Sequence, residues 1–232
     1  VVKRNNFPNV LNDIRLYYIE YFDYFMNQKN SLGLDSCFMD LDNPFELFNI
    51  WMSEAKKKEI NDPNALSLAT TSVENEPKVR MVLLKGISEN GFIFYTNLNS
   101  PKSNNLKNNP KASMCFHWKS LQRQIIISGS VTQVNDKEAD DYFKSRPYES
   151  KIGAWASNQS QAMNKREDFL KKIDEFKNKY KEKNNIPRPK NWSGWCLNPL
   201  SFEFWLGDQF RIHERLKYNK ASSNWKKEIL YP

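Results

Sequence analysis

The chain has 232 residues, enough for one large domain or two small ones that bury a core without covalent staples. Hydrophobic residues make up 39% and aromatics 14%, and mean hydropathy is -0.77, which excludes a helical membrane protein. The densest apolar stretch near the start, LYYIEYFDYFM from Leu16, is interrupted by Glu20 and Asp23 and is too short to span a bilayer. With 35 Lys and Arg against 27 Asp and Glu the net charge is +8, which suits an anionic partner: nucleic acid, an acidic membrane surface or a phosphorylated small molecule. Cys37, Cys115 and Cys196 stand far apart with only His117 and His213 to join them, so no zinc ligand set is expected. An odd, sparse cysteine set fits a reducing compartment, and a cytoplasmic location is expected.

Residues 1–60 read as helix, loop, helix. Asn12 or Asp13 caps IRLYYIEYF, a loop follows with Gly33, Asp40 and Pro44, and FELFNIWMSEAKKKEI places Phe45, Phe48, Trp51 and Met52 on one core-facing stripe. From Asp62 the pattern changes to period two. ALSLATT, KVRMVLLKGI, GFIFYTN, ASMCFHW and QIIISGSVTQV read as strands separated by the turn groups ENEP, SENG and NSPKSNNLKNNP. Such closely spaced strands indicate an antiparallel meander or barrel. KEADDYFKSR is helical until Pro147. A charged helix begins after Ser160, with Phe169, Leu170, Ile173, Phe176 and Tyr180 on one face. After the linker IPRPKNW, three further strands are expected in WSGWCLNPLSFEFWLG, FRIHERLKY and WKKEIL. The fold class is mainly β with helical additions. Residues 1–60 pack as a helical segment on a barrel formed by 61–232, one structural domain overall.

No GxGxxG, P-loop, GxSxG or HExxH motif is present, so an anion site must be built from side chains, chiefly Arg and Lys. Three groups have suggestive spacing. Arg211, His213 and Arg215 are two apart and share one face of a regular strand; a solvated basic face explains them equally well. Tyr142, Arg146 and Ser150 are four apart, with Pro147 ending the helix and Ser150 in the following loop, and could form a phosphate clamp. A tyrosine covering an arginine stem is the simpler account. Arg80 and Lys85 have opposite parity on a strand read as buried, where unpaired charges are costly, which suggests two separate anions. Ser100 and Lys102 add a further basic corner.

Taken in order, DPNALSLAT, RMVLLK, GFIFYTN with SPK, RQIIISG, YFKSRPYESKIGAWAS with NQS, FEFWLG and RIHER before Trp225 and Pro232 resemble the pyridoxamine (pyridoxine) 5'-phosphate oxidase family. The resemblance implies a split β-barrel homodimer holding FMN non-covalently at the subunit interface. It places Arg80, Met81, Val82, Leu83, Leu84, Lys85, Tyr95, Thr96, Lys102, Gln124, Gln159, Ser160, Trp205 and Arg215 around the flavin. Lys85, Tyr142, Arg146 and Ser150 would grip the substrate's phosphate, with Arg211 and His213 orienting its ring as the catalytic pair. Asp62 matches an aspartate near the family's site. The implied reaction oxidises pyridoxine or pyridoxamine 5'-phosphate by hydride transfer to flavin, which dioxygen reoxidises with release of peroxide. Pro101 stands where the family often has a basic residue, and the Gly-Leu that usually follows the segment of Arg15 and Tyr18 is missing. Two other readings stay open: a split-barrel flavin reductase with another electron donor, and a basic β-barrel that binds nucleic acid.

Overall fold

The computed structural model describes residues 29–88, 90–181 and 185–232. The helix expected after Asn12 and Asp13, with Arg15 and Tyr18, lies outside the described residues. Helix α1 (Pro44–Lys58) starts where the Asn43 side chain accepts the Phe45 N–H at 3.0 Å and Pro44 occupies the first turn. It ends on Lys56, Lys57 and Lys58, which complement its dipole. Its buried face is Leu47, Phe48, Trp51, Met52 and Ala55, with Phe45 partly covered.

Among the described residues the strands are β1 (Ala65–Thr71), β2 (Pro77–Leu83), β3 (Gly86–Ser88), β4 (Gly91–Asn97), β5 (Lys111–Trp118), β6 (Arg123–Gln133), β7 (Trp192–Leu206), β8 (Glu214–Ala221) and β9 (Asn224–Leu230). All pairings are antiparallel, in the order β2-β1-β5-β6-β7-β4-β3. β7 is long enough to change neighbours along its other edge. Trp192 to Leu197 pair with β4, and Ser201 to Leu206 pair with β8, which pairs β9. The sheet curls into a half-barrel around α1: Phe48 meets Phe92 and Phe116 with centroids 4.8 and 5.3 Å away, and Trp51 meets Phe204 at 5.2 Å. Burying each of these rings contributes about 2–3 kcal/mol. A bulge opposite Ser128 and Gly129 bends β7, and a Cβ on Gly129 would lie 2.0 Å from the Asn198 carbonyl oxygen, so only glycine fits.

Four local expectations are corrected. KVRMVLLKGI is two strands, because the chain changes partner: Leu84 N–H donates to Asn64 O on the β1 side, whereas Lys85 N–H donates to Ile93 O of β4. Nor is β2 buried; it is an edge strand pairing with β1, with Val79 69% and Met81 63% exposed. NSPKSNNLKNNP is not a turn but contains helix α2 (Pro101–Asn108). Beyond helix α3 (Asp136–Ser145), Ser150 lies within helix α4 (Tyr148–Ala156) rather than in a loop, since Pro147 halts α3 and precedes the first residue of α4. The charged helix α5 (Arg166–Lys179) packs Ile173 and Phe176 on α4, leaving Leu170 46% exposed.

Candidate functional site

A cleft of about 780 Å³ opens between the end of β2, β4 and the helices α3 and α4. Its wall includes Met81, Val82, Leu83, Lys85, Tyr95 and Thr96, and opposite them Tyr142, Arg146 and Ser150; Lys102 and Gln159 close one end. The sequence therefore carried eleven of the expected residues into one cavity.

The Lys102 end is a polar knot. Lys102 is buried and its Nζ donates to Thr96 Oγ1 (3.0 Å), Ser100 Oγ (3.2 Å) and Gln159 Oε1 (3.0 Å), and Thr96 donates in turn to Gln159 Oε1 at 2.9 Å. None of these acceptors is charged. Burial, with the nearby Arg80 guanidinium adding repulsion, lowers the Lys102 pKa to about 8. Arg80 sits behind the cleft wall, its Nη1 donating to Leu68 O at 3.0 Å and Thr70 Oγ1 at 2.7 Å, with its own pKa lowered by burial. Two cations thus share one corner with no carboxylate in hydrogen-bond reach among the described residues, an arrangement suited to an added anion.

The other end is organised by aromatic stacking. Tyr95 lies 4.0 Å from Tyr142 and 5.2 Å from Trp192, in near-parallel planes, and burial raises the Tyr95 pKa to about 12. The Arg146 guanidinium lies 4.8 Å from the Trp192 ring centroid and 5.6 Å from that of Phe143. Its Nη1 is buried without a hydrogen-bond partner, and burial lowers its pKa while the Tyr142 phenol opposes that. A buried guanidinium edge with no partner among the described residues is suited to an anion. Lys85 lines the same cleft and is exposed, and among the described residues its ammonium has no partner. Trp192, Asn97, Ser145 and Ser157 also line the cleft and were not singled out from sequence; only contact across the fold reveals them.

The remaining expected residues lie elsewhere. Leu84 is buried in the core, and Ser160 is exposed in a left-handed turn with φ 66°. Gln124, Trp205 and Arg215 are cross-strand neighbours on β6, β7 and β8, on the outer face of the sheet. Arg211 and His213 are not on a strand, contrary to expectation. β8 begins at Glu214, and the preceding turn holds Phe210 and Arg211 at φ 57° and 63°, so the shared-face argument does not apply. Consecutive left-handed residues cost about 1–2 kcal/mol each. His213 packs on Trp205 at 4.6 Å, and its Nδ1 accepts the Asp208 N–H at 3.2 Å, which leaves the proton of the neutral ring on Nε2. Arg215 has an acidic partner: Nε and Nη2 donate to Glu203 Oε1 at 2.9 and 2.6 Å.

Residues 52–180 match the family model described as pyridoxamine 5'-phosphate oxidase, and residues 192–232 match the pyridoxine 5'-phosphate oxidase C-terminal dimerisation region. The chain belongs to the pyridoxine/pyridoxamine 5'-phosphate oxidase family. A family member from Pelagibacter ubique is 61% identical over 208 residues, covering 89% of this chain and all of the relative. One from Bartonella henselae is 49% identical over 206 residues, covering 88% and 99%. Among solved structures, PhzG from Burkholderia lata in complex with tetrahydrophenazine-1-carboxylic acid aligns with TM-score 0.80 and 28% identity, covering 86% of this chain and 97% of that one. An FMN-binding protein from Nostoc punctiforme aligns with TM-score 0.66 at 15% identity, covering 84% and 100%, and shares the split-barrel fold. Among the described residues no helix is long and apolar enough to cross a membrane.

Proposed function

We propose that the protein is an FMN-dependent oxidase converting pyridoxine 5'-phosphate and pyridoxamine 5'-phosphate to pyridoxal 5'-phosphate. The observation that carries this is one cleft with uncompensated cations in two places, Lys102 backed by Arg80 at one end, and Arg146 with its stacked aromatics, and Lys85, elsewhere along the wall. That donor set suits two ring-bearing phosphates. The buried, unpaired Arg146 Nη1 fits a phosphate oxygen, and the Arg80–Lys102 corner fits a second. Hydride acceptance from the substrate's C4' carbon, followed by reoxidation with dioxygen to peroxide, is the chemistry that FMN supplies when bound.

The chain's own residues bind and orient. Arg80, Lys102, Thr96 and Gln159 would hold the flavin phosphate end, and Met81, Val82, Leu83 and Lys85, which line the cleft, would flank its ring. Arg146, Lys85, Tyr142 and Ser150 grip the substrate phosphate, so that the reacting carbon is held rather than diffusing. Gln124, Trp205 and Arg215 on the outer sheet face, together with Arg211 and His213 in the turn before β8, complete the cleft of a second copy in a homodimer. The exposed apolar edge of β2, with Val79, Met81 and Leu83, gives that partner a surface to cover. From there Arg211 lies over the substrate ring and His213 presents Nε2–H to its 3-hydroxyl.

The test is anaerobic. The protein is loaded with FMN, pyridoxine 5'-phosphate is added, and visible absorbance is followed before and after air is admitted. Bleaching and recovery are expected. FMN binding without bleaching by either phosphorylated vitamer would leave the flavin site standing and remove the oxidase assignment.

A further inference from the structure

We infer that Thr70 and Asn105 are positioning residues that aim Arg80 at the cofactor phosphate, an inference that rests on the flavin reading of the Arg80–Lys102 corner. Arg80 stands opposite Leu68 in the β1–β2 register, so its side chain turns to the inner side of the sheet, where Leu66, Leu68 and Thr70 are buried. There the Thr70 hydroxyl oxygen accepts twice, from Arg80 Nη1 at 2.7 Å and from Asn105 Nδ2 at 3.1 Å. Thr70 is 2% exposed and Asn105 9%, so neither bond competes with bulk water.

Asn105 lies three residues after Lys102 on α2, on the same side of that helix. The Thr70 hydroxyl therefore couples the strand that carries one cation to the helix that carries the other. It fixes Arg80 through Nη1 alone; among the described residues Nε and Nη2 have no partner. Every contact that orients Arg80 is neutral, from a carbonyl and a hydroxyl. The guanidinium is held at a fixed angle while its charge stays unspent, which a carboxylate in place of Thr70 or Asn105 would cancel. Without the hydroxyl, Arg80 keeps only the Leu68 carbonyl and can swing.

The experiment titrates apoprotein with FMN and, separately, with riboflavin, which has the same ring but no phosphate, following flavin fluorescence. Thr70→Val is isosteric and removes the acceptor; it is expected to weaken FMN about tenfold, the effect of one lost charge-assisted contact, and to leave riboflavin within about twofold. Thr70→Ser restores FMN affinity. Asn105→Ala, which frees Thr70 from its second donor, is expected to weaken FMN by about threefold with riboflavin again unmoved, and it carries the test should Thr70→Val not fold. Equal loss of FMN and riboflavin, or unchanged FMN affinity, would overturn the inference by showing a merely structural role or none. If the wild-type protein binds FMN no better than riboflavin, or binds neither, the phosphate-corner reading itself falls, and the positioning role with it.

Discussion

Replacing Arg146 with methionine separates binding from stability in opposite directions. In the free protein the guanidinium rests on Trp192 and Phe143, with Nη1 buried and unpaired. Losing the cation–π contacts costs about 0.5–1 kcal/mol each. Removing an orphaned buried donor returns about 1–3 kcal/mol, and methionine keeps most of the apolar stem. The unfolding midpoint in denaturant should therefore hold or rise. A phosphorylated substrate loses a charge-assisted contact worth about 1.5–3 kcal/mol, which raises KM by about 10- to 150-fold. Steady-state oxidation of pyridoxine 5'-phosphate at varied concentration, run beside urea unfolding, reads both quantities. An unchanged KM, or a loss of stability that accounts for the loss of affinity, would refute the reasoning.

Three further outcomes follow from the same geometry. Because the Lys102 pKa is lowered to about 8, FMN affinity should fall as pH rises through that value, read as an increasing Kd in fluorescence titrations from pH 7 to 9.5. Apoprotein stability should move the opposite way: between about pH 8 and 10 the unfolded chain binds more protons at this lysine than the folded one, so folding gains. Above pH 10 the raised pKa values of Tyr95 and Tyr218, each about 12, reverse that gain; a flat Kd across the range would remove the Lys102 assignment. Met81→Lys puts a charge on the exposed apolar edge of β2 and should shift sedimentation toward a monomer with loss of flavin retention; an unchanged dimer would place the partner surface elsewhere. Gly129→Ala drives a methyl into the Asn198 carbonyl and should cost at least about 1–3 kcal/mol in urea unfolding, and wild-type stability would contradict the close approach at the bulge.

Much of this protein was legible along the chain. Period-two runs such as ALSLATT and ASMCFHW declare strands because alternate residues meet opposite environments, and their burial alternates as that pattern requires. The stripe of Phe48, Trp51 and Met52 announced a helix with one buried face, and the ordered motifs announced the family. Local sequence also marked which arginines and lysines to watch, since ionic side chains at strand ends and helix stops need a reason to be there.

Where those cations went was decided by the tertiary structure. Parity along RMVLLK fails at Lys85, because the strand ends when Leu84 and Lys85 bond to different neighbours, and no local pattern encodes a change of partner. Arg211 and His213 leave the expected strand because the backbone passes through two left-handed residues just before β8, a conformation set by surrounding contacts rather than by Phe and Arg preferences. The charges of Arg80 and Arg215 look alike in sequence, yet one is held by neutral oxygens and the other is neutralised by Glu203. That difference lies in which side chains the sheet register brings within diagonal reach of them, Thr70 for Arg80 and Glu203 for Arg215, and register is a long-range choice fixed by burying one face of every strand at once.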